Sequence, residues 1–489
     1  MKMEQRKDFL DRLKKLDELK KMNINPYPHS FQYDYFISEI VKNQENLMGK
    51  YVRTGGRVMS LRFHGKVGFA DLYLDNNKIQ LFLRYDVLNE KYNEFKKIVD
   101  KGDFLGVYGK VVKTEKGELS ILVEEFTLLA KSLYELPHQW FGLEDVETRY
   151  RQRYLDMILN PEVFEIFRTR SKIIMEIRKY LDERGYLEFE TPILQPVYGG
   201  ANAKPFITHV NAIEKDYYLR ISDELYLKRL LVAGYPKVYE IGKDFRNEDI
   251  DSKHNPEFTM MEIYEAFKDY KDMMKLTEDL IKNVSEKVVG RLKFKIDGKD
   301  IDLSGEWKKV RMYDLLIEDG IDPYKISDDE IKSLLKKYNI PMPVYSRGIA
   351  LTKIFESIHE ESFINPVFVI DYPKESTPLC KPHRNYPDLV ERFELFINGI
   401  EIANGYSELN DPLLQEEFFK QETERRVLGD EEAQQIDWDF IEALRTGMPP
   451  AGGVGIGIDR ITMLMTERSS IKEVIYYPIQ APKNDKRVK

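Results

Sequence analysis

Asn398-Gly399 stands between two runs in which apolar residues alternate, ERFELFI and IEIANGY. An Asn-Gly pair in that setting predicts a type I′ hairpin, because both turn residues need positive φ and the turn's twist matches that of the strands. The turn sets a register in which Ile397 faces Ile400, Phe396 faces Glu401 and Glu394 faces Ala403. Phe393, Leu395, Ile397, Ile400 and Ile402 then share the core side. Glu394 and Glu401 share the other side as diagonal neighbours, roughly 7–8 Å apart. Like charges so placed repel unless a cation lies between them, so the pair is either solvated or a seat for a divalent ion such as Mg2+ bridging phosphates.

Residues 50 to 130 hold five short runs rich in β-branched and aromatic residues: VRTGGRVMSLRF, GFADLYLD, KIQLFLRY, DFLGVYGKVVKT and ELSILVEEFTLLA. Turn residues separate them, and one helical interruption, LNEKYNEFKKIVDKG, falls between the third and fourth. The pattern predicts a small closed barrel of the OB type, which either stacks single-stranded bases on exposed aromatics or serves as a plain scaffold. From residue 148 helices and long strands alternate. RTRSKIIMEIRKYLDERG reads as a helix with Ile173, Ile177 and Leu181 on one stripe and Gly185 as its stop, followed by LEFETPIL, a strand broken at Pro192. The expected organisation is an amino-terminal helix and linker (1–48), an OB barrel (49–135) and an α+β domain around an antiparallel sheet (136–489), with a charged helical insertion at about 270–340.

A formal net charge of −9 argues against a protein that coats nucleic acid over much of its surface. Any RNA contact must be local. Residues 2–21 carry eight Lys/Arg against five Asp/Glu, and Phe9, Leu13 and Leu16 fall at helical spacing; this helix either docks on the body or touches RNA. Cys380 is the single cysteine, so no disulfide within the chain and no zinc cage with two thiolates is expected. No run approaches the ~20 apolar residues of a membrane span, and the first residues are too charged for a secretory signal, which places the expected protein in the cytoplasm without a membrane partner.

Two further segments carry chemistry. In KDFRNEDIDSKHNPEFTMMEIYEAF (243–267), Asp244, Arg246 and Glu248 alternate on one face, and Phe258, Met260, Glu262 and Tyr264 share a face of the return strand. That mixture suits either a surface hairpin laced with salt bridges or a site for a nucleotide and an amino acid, where guanidinium forks grip phosphate or carboxylate. In PPAGGVGIGIDRITMLMT (449–466), four glycines at 452, 453, 455 and 457 permit close approach of a ligand, and Arg460 falls near the positive end of a helix. The spacing is neither a P-loop nor a dinucleotide fingerprint.

In this order the segments resemble the three motifs of class II aminoacyl-tRNA synthetases, in their lysyl form. The helix and strand ending at Pro192 are similar to the first motif, which in the family builds the dimer interface. FRNEDIDSKHNPEFTMMEIY resembles the second and GVGIGIDR the third. RYRQRYLDMI, GGANAKPFIT, SDELYLKRL and ANGYSELND are further lysyl-type marks, and the likeness runs from about residue 10 to 480.

The resemblance implies roles. Arg246 and Arg460 are the expected catalytic residues: Arg246 holds the lysine carboxylate against the ATP α-phosphate and Arg460 meets the γ-phosphate. Glu248, His254, Asn255 and Phe258 grip ATP, with Phe258 on adenine, and Glu394 and Glu401 hold Mg2+. Gly200 and Glu224 bind the α-ammonium of lysine, Glu262, Asn404 and Tyr406 complete the pocket, and Tyr264 and Glu408 meet the ε-ammonium. A buried carboxylate rejects neutral side chains, which leave it unpaired at ~1–3 kcal/mol. The barrel resembles an anticodon-binding domain, with Arg62, Phe69 and Gln80 on anticodon bases. The implied partners are ATP, L-lysine, the tRNA for lysine and a second copy of the chain, with Mg2+ accompanying ATP. Tyr406 departs from the phenylalanine of many bacterial members, and TPLCKPHRNYPDL has no assigned part. Aspartyl or asparaginyl charging would suit Glu262 and Glu408 poorly. A relative that delivers lysine to a protein would lack the barrel. A non-catalytic paralogue would be expected to lose Arg246, Glu394, Glu401 or Arg460, all present here.

Overall fold

Alternation of period two builds the amino-terminal unit. In the computed structural model five strands, β1 (Tyr51–His64), β2 (Val67–Leu74), β3 (Asn77–Arg84), β4 (Phe104–Lys113) and β5 (Leu119–Ala130), close into a barrel in the order β1-β2-β3-β5-β4. Ala70, Leu72, Ile79, Leu81 and Leu83 fill its interior, so Phe69 and Gln80 point outward. The expected helical interruption is Glu90–Ile98, which buries Tyr92, Phe95 and Ile98. The basic amino-terminal segment is helical over Lys7–Lys21, its first residues lying outside those described. It docks on this barrel: the Arg12 guanidinium donates to the carbonyls of Lys101 (3.0 Å) and Ser132 (2.9 Å), and Lys15 pairs with Asp100 at 2.6 Å. The described residues are 7–136, 143 and 145–480, and the chain divides into two units, Met1–Phe164 and Glu165–Lys489.

The second unit is organised by a sheet of β6 (Leu187–Glu188), β7 (Lys237–Phe245), β8 (Glu257–Ala266), β9 (Lys308–Arg311), β10 (Val367–Pro373), β11 (Leu389–Ile397), β12 (Ile400–Ser407) and β13 (Ala451–Gly457). Its order is β9-β10-β11-β12-β13-β8-β7-β6; only the two edge pairs are parallel. One face is the core. Ile173, Ile177 and Leu181 of the helix Pro161–Asp182 and Met273, Leu280, Ile281 and Val284 of the helix Tyr270–Val289 cover Met261, Ile263, Leu395, Ile402, Val454 and Ile456. The stop at Gly185 has φ +78°. Pro192 does more than interrupt a strand: only Leu187–Glu188 and Leu194–Gln195 are extended, and they join different sheets.

The segment 270–340 is not a detachable insertion. Its first helix carries its charges on the face away from an apolar stripe that covers the central sheet, and Lys308–Arg311 extends that sheet. Asp269 caps it, accepting from the backbone of Lys271 and Asp272, and Gly290 ends it in the left-handed region.

The hairpin β11–β12 corrects the register. Asn398 and Gly399 have φ of 54° and 68°, and Ile397 faces Ile400 and Phe396 faces Glu401 as the turn requires. A β-bulge then shifts the pairing, so Leu395 faces Ala403 and Glu394 faces Asn404, not Ala403. Strict alternation along β12 would place Glu401 on the face opposite Asn404, Tyr406 and Glu408. The extra residue resets the parity and brings all four to the cavity side.

Candidate active site

The uncovered face of the sheet opens into one cavity of about 380 Å³. Gly200, Glu224, Arg246, Glu248, His254, Asn255, Phe258, Glu262, Tyr264, Glu394, Glu401, Asn404, Tyr406, Glu408 and Arg460 all line it. They come from β8, β11, β12 and the loops and helices at the sheet's ends, and adjacent strands place their same-face residues side by side.

One end is acidic and closed. Glu224, Glu262, Tyr264 and Glu408 are buried. The Ser222 and Tyr264 hydroxyls donate to Glu262 at 2.7 and 2.6 Å, holding both its oxygens. Lys228, one helical turn beyond Glu224, is fully buried and places its ammonium against both Glu224 and Glu408. Glu408 is therefore already paired on one oxygen, whereas the selectivity reading took its carboxylate as unpaired until a substrate ammonium arrives. Burial nevertheless dominates: it pushes the Glu224 carboxyl up to about 8 and Glu408 up to about 7, although Lys228 pulls both down. Beneath them Asp223, Asp244 and Glu262 lie with carboxylate oxygens within 4.8 Å of one another. Burial, reinforced by Glu262, holds Asp223 well above the usual carboxylate range and pushes Asp244 to about 7; Arg220, paired with Glu240 at 2.6 Å and Asp244 at 3.1 Å, opposes the rise at Asp244.

The four glycines of β13 divide into two classes. A Cβ on Gly453 would lie 2.2 Å from Glu408 Oε1 and 2.4 Å from the Tyr264 ring, and one on Gly452 would meet Asp269 and Met273 at 2.9 Å. These two glycines make room for the protein itself. Gly455 and Gly457 have no neighbour closer than 3.8 and 3.4 Å, so only they leave the backbone open to a ligand. Gly200, with φ +91°, needs glycine for its backbone and for Ser222, whose Oγ would lie 2.7 Å from a Cβ.

The other end mixes arginine, an aromatic ring and carboxylates. Arg246 lies over the Phe258 ring at 5.1 Å from the centroid. Arg460 donates to the Glu401 carbonyl at 2.6 Å and lies 3.4 Å from its carboxylate; the preceding Asp459 ties the start of the helix Ile458–Thr466 to Thr259 of β8 at 2.7 Å and to Arg170 at 2.6 Å. His254 stays exposed at the mouth, paired with Asp251 at 2.9 Å. Asn255 is committed to the fold, donating to the Glu257 carbonyl and accepting from Ile479 N at 3.2 Å. Glu248 is pushed up by burial.

Glu394 is buried and accepts from Tyr372 at 2.7 Å, from Arg392, and from Asn404 at 3.4 Å. Burial raises its pKa against the pull of Arg392, and Glu401 adds to the rise. Glu356, unremarked in the sequence, lines the same end, and burial beside Glu394 pushes it up to about 8. An all-oxygen, mutually repelling donor set of this kind fits a hard cation such as Mg2+.

In the barrel, Arg62 pairs across β1–β2 with Phe69, whose ring stacks on Phe82 at 5.2 Å and 3°. Ser120 donates to Gln80 Oε1 at 3.0 Å, which leaves the amide nitrogen as the donor for a partner outside. Arg62 also reaches Asp71 at 3.4 Å.

Residues 145–481 match the family model for class II tRNA synthetases (D, K and N), and residues 52–129 match the OB-fold nucleic acid binding domain. A lysine–tRNA ligase of Saccharolobus solfataricus is 50% identical over 482 residues, covering 96% of this chain and 97% of its own length. One from Carboxydothermus hydrogenoformans is 50% identical over 478 residues, covering 97% and 98%. Lysine–tRNA ligase 2 of Methanosarcina mazei is 50% identical over 474 residues, covering 96% and 93%. The chain belongs to the lysine–tRNA ligase family of class II synthetases. It is an aminoacyl-tRNA ligase, with an OB-fold domain ahead of an antiparallel-sheet catalytic domain.

Residues that sequence reasoning missed are the partners of those it found. Lys228 sits four residues after Glu224 in SDELYLKRL, a spacing that puts both on one helix face. Arg392 sits two residues before Glu394 on β11, hence on the same side. Asp223 and Arg220 carry no local signal, and only the fold brings them to Asp244.

Proposed function

We propose that this chain activates L-lysine with ATP to lysyl-adenylate and pyrophosphate, then transfers lysine to the 3′-hydroxyl of the terminal adenosine of its tRNA. The observation that carries the proposal is the polarity of the cavity: buried carboxylates at one end, the Arg246–Phe258 pair and the Glu394/Glu401 carboxylates at the other. Glu224 and Gly200 receive the α-ammonium, Glu262, Asn404 and Tyr406 complete the pocket, and Tyr264 and Glu408 receive the ε-ammonium. Arg246 forks between the lysine carboxylate and the α-phosphate. The nucleophile is already an anion, so no general base is needed; a carboxylate oxygen bonds to the α-phosphorus as the bond to the bridging oxygen breaks and pyrophosphate leaves. Phe258 stacks on adenine, Glu248, His254 and Asn255 flank the nucleotide, and Arg460 meets the γ-phosphate. Glu394 and Glu401 would hold Mg2+, which supplies charge neutralisation on the phosphates. In the second step the 3′-hydroxyl attacks the lysyl carbonyl and AMP departs.

Phe69 and Phe82 offer a stacking surface, and Gln80 and Arg62 offer donors, for anticodon bases. We retain 49–135 and 136–489 as the anticodon-binding and catalytic segments, preceded by the helix and linker of 1–48. Met175 and Leu187 in the first-motif stretch, and Ile193, Leu194 and Ile207 just after it, are exposed apolar residues, which supports a homodimer. Among the described residues no helix is long and apolar enough to cross a membrane. We place the enzyme in the cytoplasm, with its tRNA. The deciding experiment is ATP–pyrophosphate exchange with Mg2+ and each standard amino acid in turn, without tRNA. Exchange with lysine alone is expected; exchange with aspartate or asparagine would overturn the specificity, and none at all would overturn catalysis.

A further inference from the structure

Lys228 is not part of the cavity wall, yet it touches two of the carboxylates that are. Its side chain is fully buried, and its ammonium is shared by Glu224 of its own helix and Glu408 at the end of β12. The Tyr264 ring lies 6.0 Å away; Glu262, Tyr406, Cys380 and Lys381 are the other titratable groups around these carboxylates. Glu408 Oε1 is buried without a hydrogen bond and points at the surface of Gly453, which lines the cavity.

We infer that Lys228 is a positioning residue that sets amino-acid specificity: one resident ammonium clamps Glu224 and Glu408 together, leaving their remaining oxygens for the two ammonium groups of a diamino acid. The inference rests on the reading that these carboxylates meet the α- and ε-ammonium. Its logic is charge matching. Once ionised, Glu224, Glu262 and Glu408 carry three negative charges in a closed space, and one resident plus two arriving ammoniums match them. An amino acid with a neutral side chain leaves one carboxylate unmatched. Without Lys228 the carboxylates, crowded and desolvated, would hold protons to a higher pH and would not attract an ammonium.

The test is Lys228→Met in the full chain, read by lysine-dependent ATP–pyrophosphate exchange across a pH series, beside Glu408→Gln. The inference expects the lysine KM of Lys228→Met to rise about tenfold or more near neutral pH, with kcat and the ATP KM changed by no more than about twofold. It also expects that KM to recover toward the wild-type value as pH rises, since deprotonation restores the carboxylates. A wild-type lysine KM and pH profile in Lys228→Met, with Glu408→Gln impaired, would overturn the inference and leave the pocket reading standing. An unimpaired Glu408→Gln would overturn the pocket reading itself. If Lys228→Met does not fold, the double variant Lys228→Met/Glu408→Gln decides: a lysine KM no worse than that of Glu408→Gln alone supports the clamp, and a lysine KM well above that of Glu408→Gln alone overturns it.

Discussion

Gly453→Ala adds a single methyl group and should strike the amino-acid pocket alone. The new Cβ would lie 2.2 Å from Glu408 Oε1 and 2.4 Å from the Tyr264 ring, against a comfortable contact of roughly 3.5–4 Å. Neither neighbour can yield freely. Glu408 is held by Lys228, and the Tyr264 hydroxyl is held by Glu262 at 2.6 Å. Overpacking of a tight core costs about 1–3 kcal/mol, a fall of a few degrees in Tm for a unit of this size. If Glu408 is pushed off line, lysine also loses a charge-assisted hydrogen bond worth ~1.5–3 kcal/mol, or roughly 10- to 150-fold in lysine KM. The ATP KM should stay within about twofold, because Phe258 and Arg246 lie away from the clash. Gly455→Ala is the control: its Cβ has no neighbour nearer than 3.8 Å, so Tm should hold while exchange falls because the methyl enters the cavity. Thermal melting and exchange kinetics, titrating lysine and ATP separately, measure both. An unchanged lysine KM and Tm in Gly453→Ala, or equal losses for the two substrates, would refute the reasoning.

Phe69→Ala should raise the KM for tRNA while leaving adenylate formation intact; base stacking is worth about 1–3 kcal/mol per base, and loss of exchange instead would separate the barrel from anticodon binding. Lysine binding should release protons. Glu408 and Glu224 are pushed up to about 7 and about 8, and arriving ammoniums favour their ionised forms, so lysine Kd should fall as pH rises through that window. Calorimetry in buffers of different ionisation enthalpy should find about one proton released near neutral pH, and proton uptake would contradict the assignment. Glu401→Gln should raise the Mg2+ concentration needed for half-maximal exchange with little change in lysine KM; an unaltered Mg2+ dependence would remove Glu401 from the metal seat.

Local periodicity made the elements legible. Ile173, Ile177 and Leu181 could be read as a buried stripe because helical spacing repeats on every turn, and Asn398-Gly399 could be read as a turn because few residues accept its φ values. What alternation could not reveal was the bulge in β12: a single extra residue leaves no compositional mark, yet it decides whether Glu401 shares a face with Glu408. The charged surface of Tyr270–Val289 hid a core helix for the same reason, since its eight buried residues are interleaved with lysines and acids. The meeting of Arg220 and Asp223 with Asp244 lies beyond local reasoning, because pairing between β7, β8 and the turn before Glu224 brings them together.

The two ends of the cavity meet the same electrostatic problem with different counter-charges. At the closed end, Lys228 offsets part of the carboxylate charge, and a substrate with two ammoniums supplies the rest. At the phosphate end, Glu248, Glu356, Glu394 and Glu401 face the place assigned to a polyanion, with Arg246, Lys253, Arg392 and Arg460 among the nearby cations. Carboxylates opposing a triphosphate would repel it by several kcal/mol in a site shielded from water, an arrangement that favours binding only if divalent cations arrive with the nucleotide. The same face of one sheet can therefore hold a cationic amino acid beside an anionic nucleotide. Arg246 marks the boundary, where the carboxylate of one substrate and the α-phosphate of the other are both negative and a single guanidinium fork can draw them together.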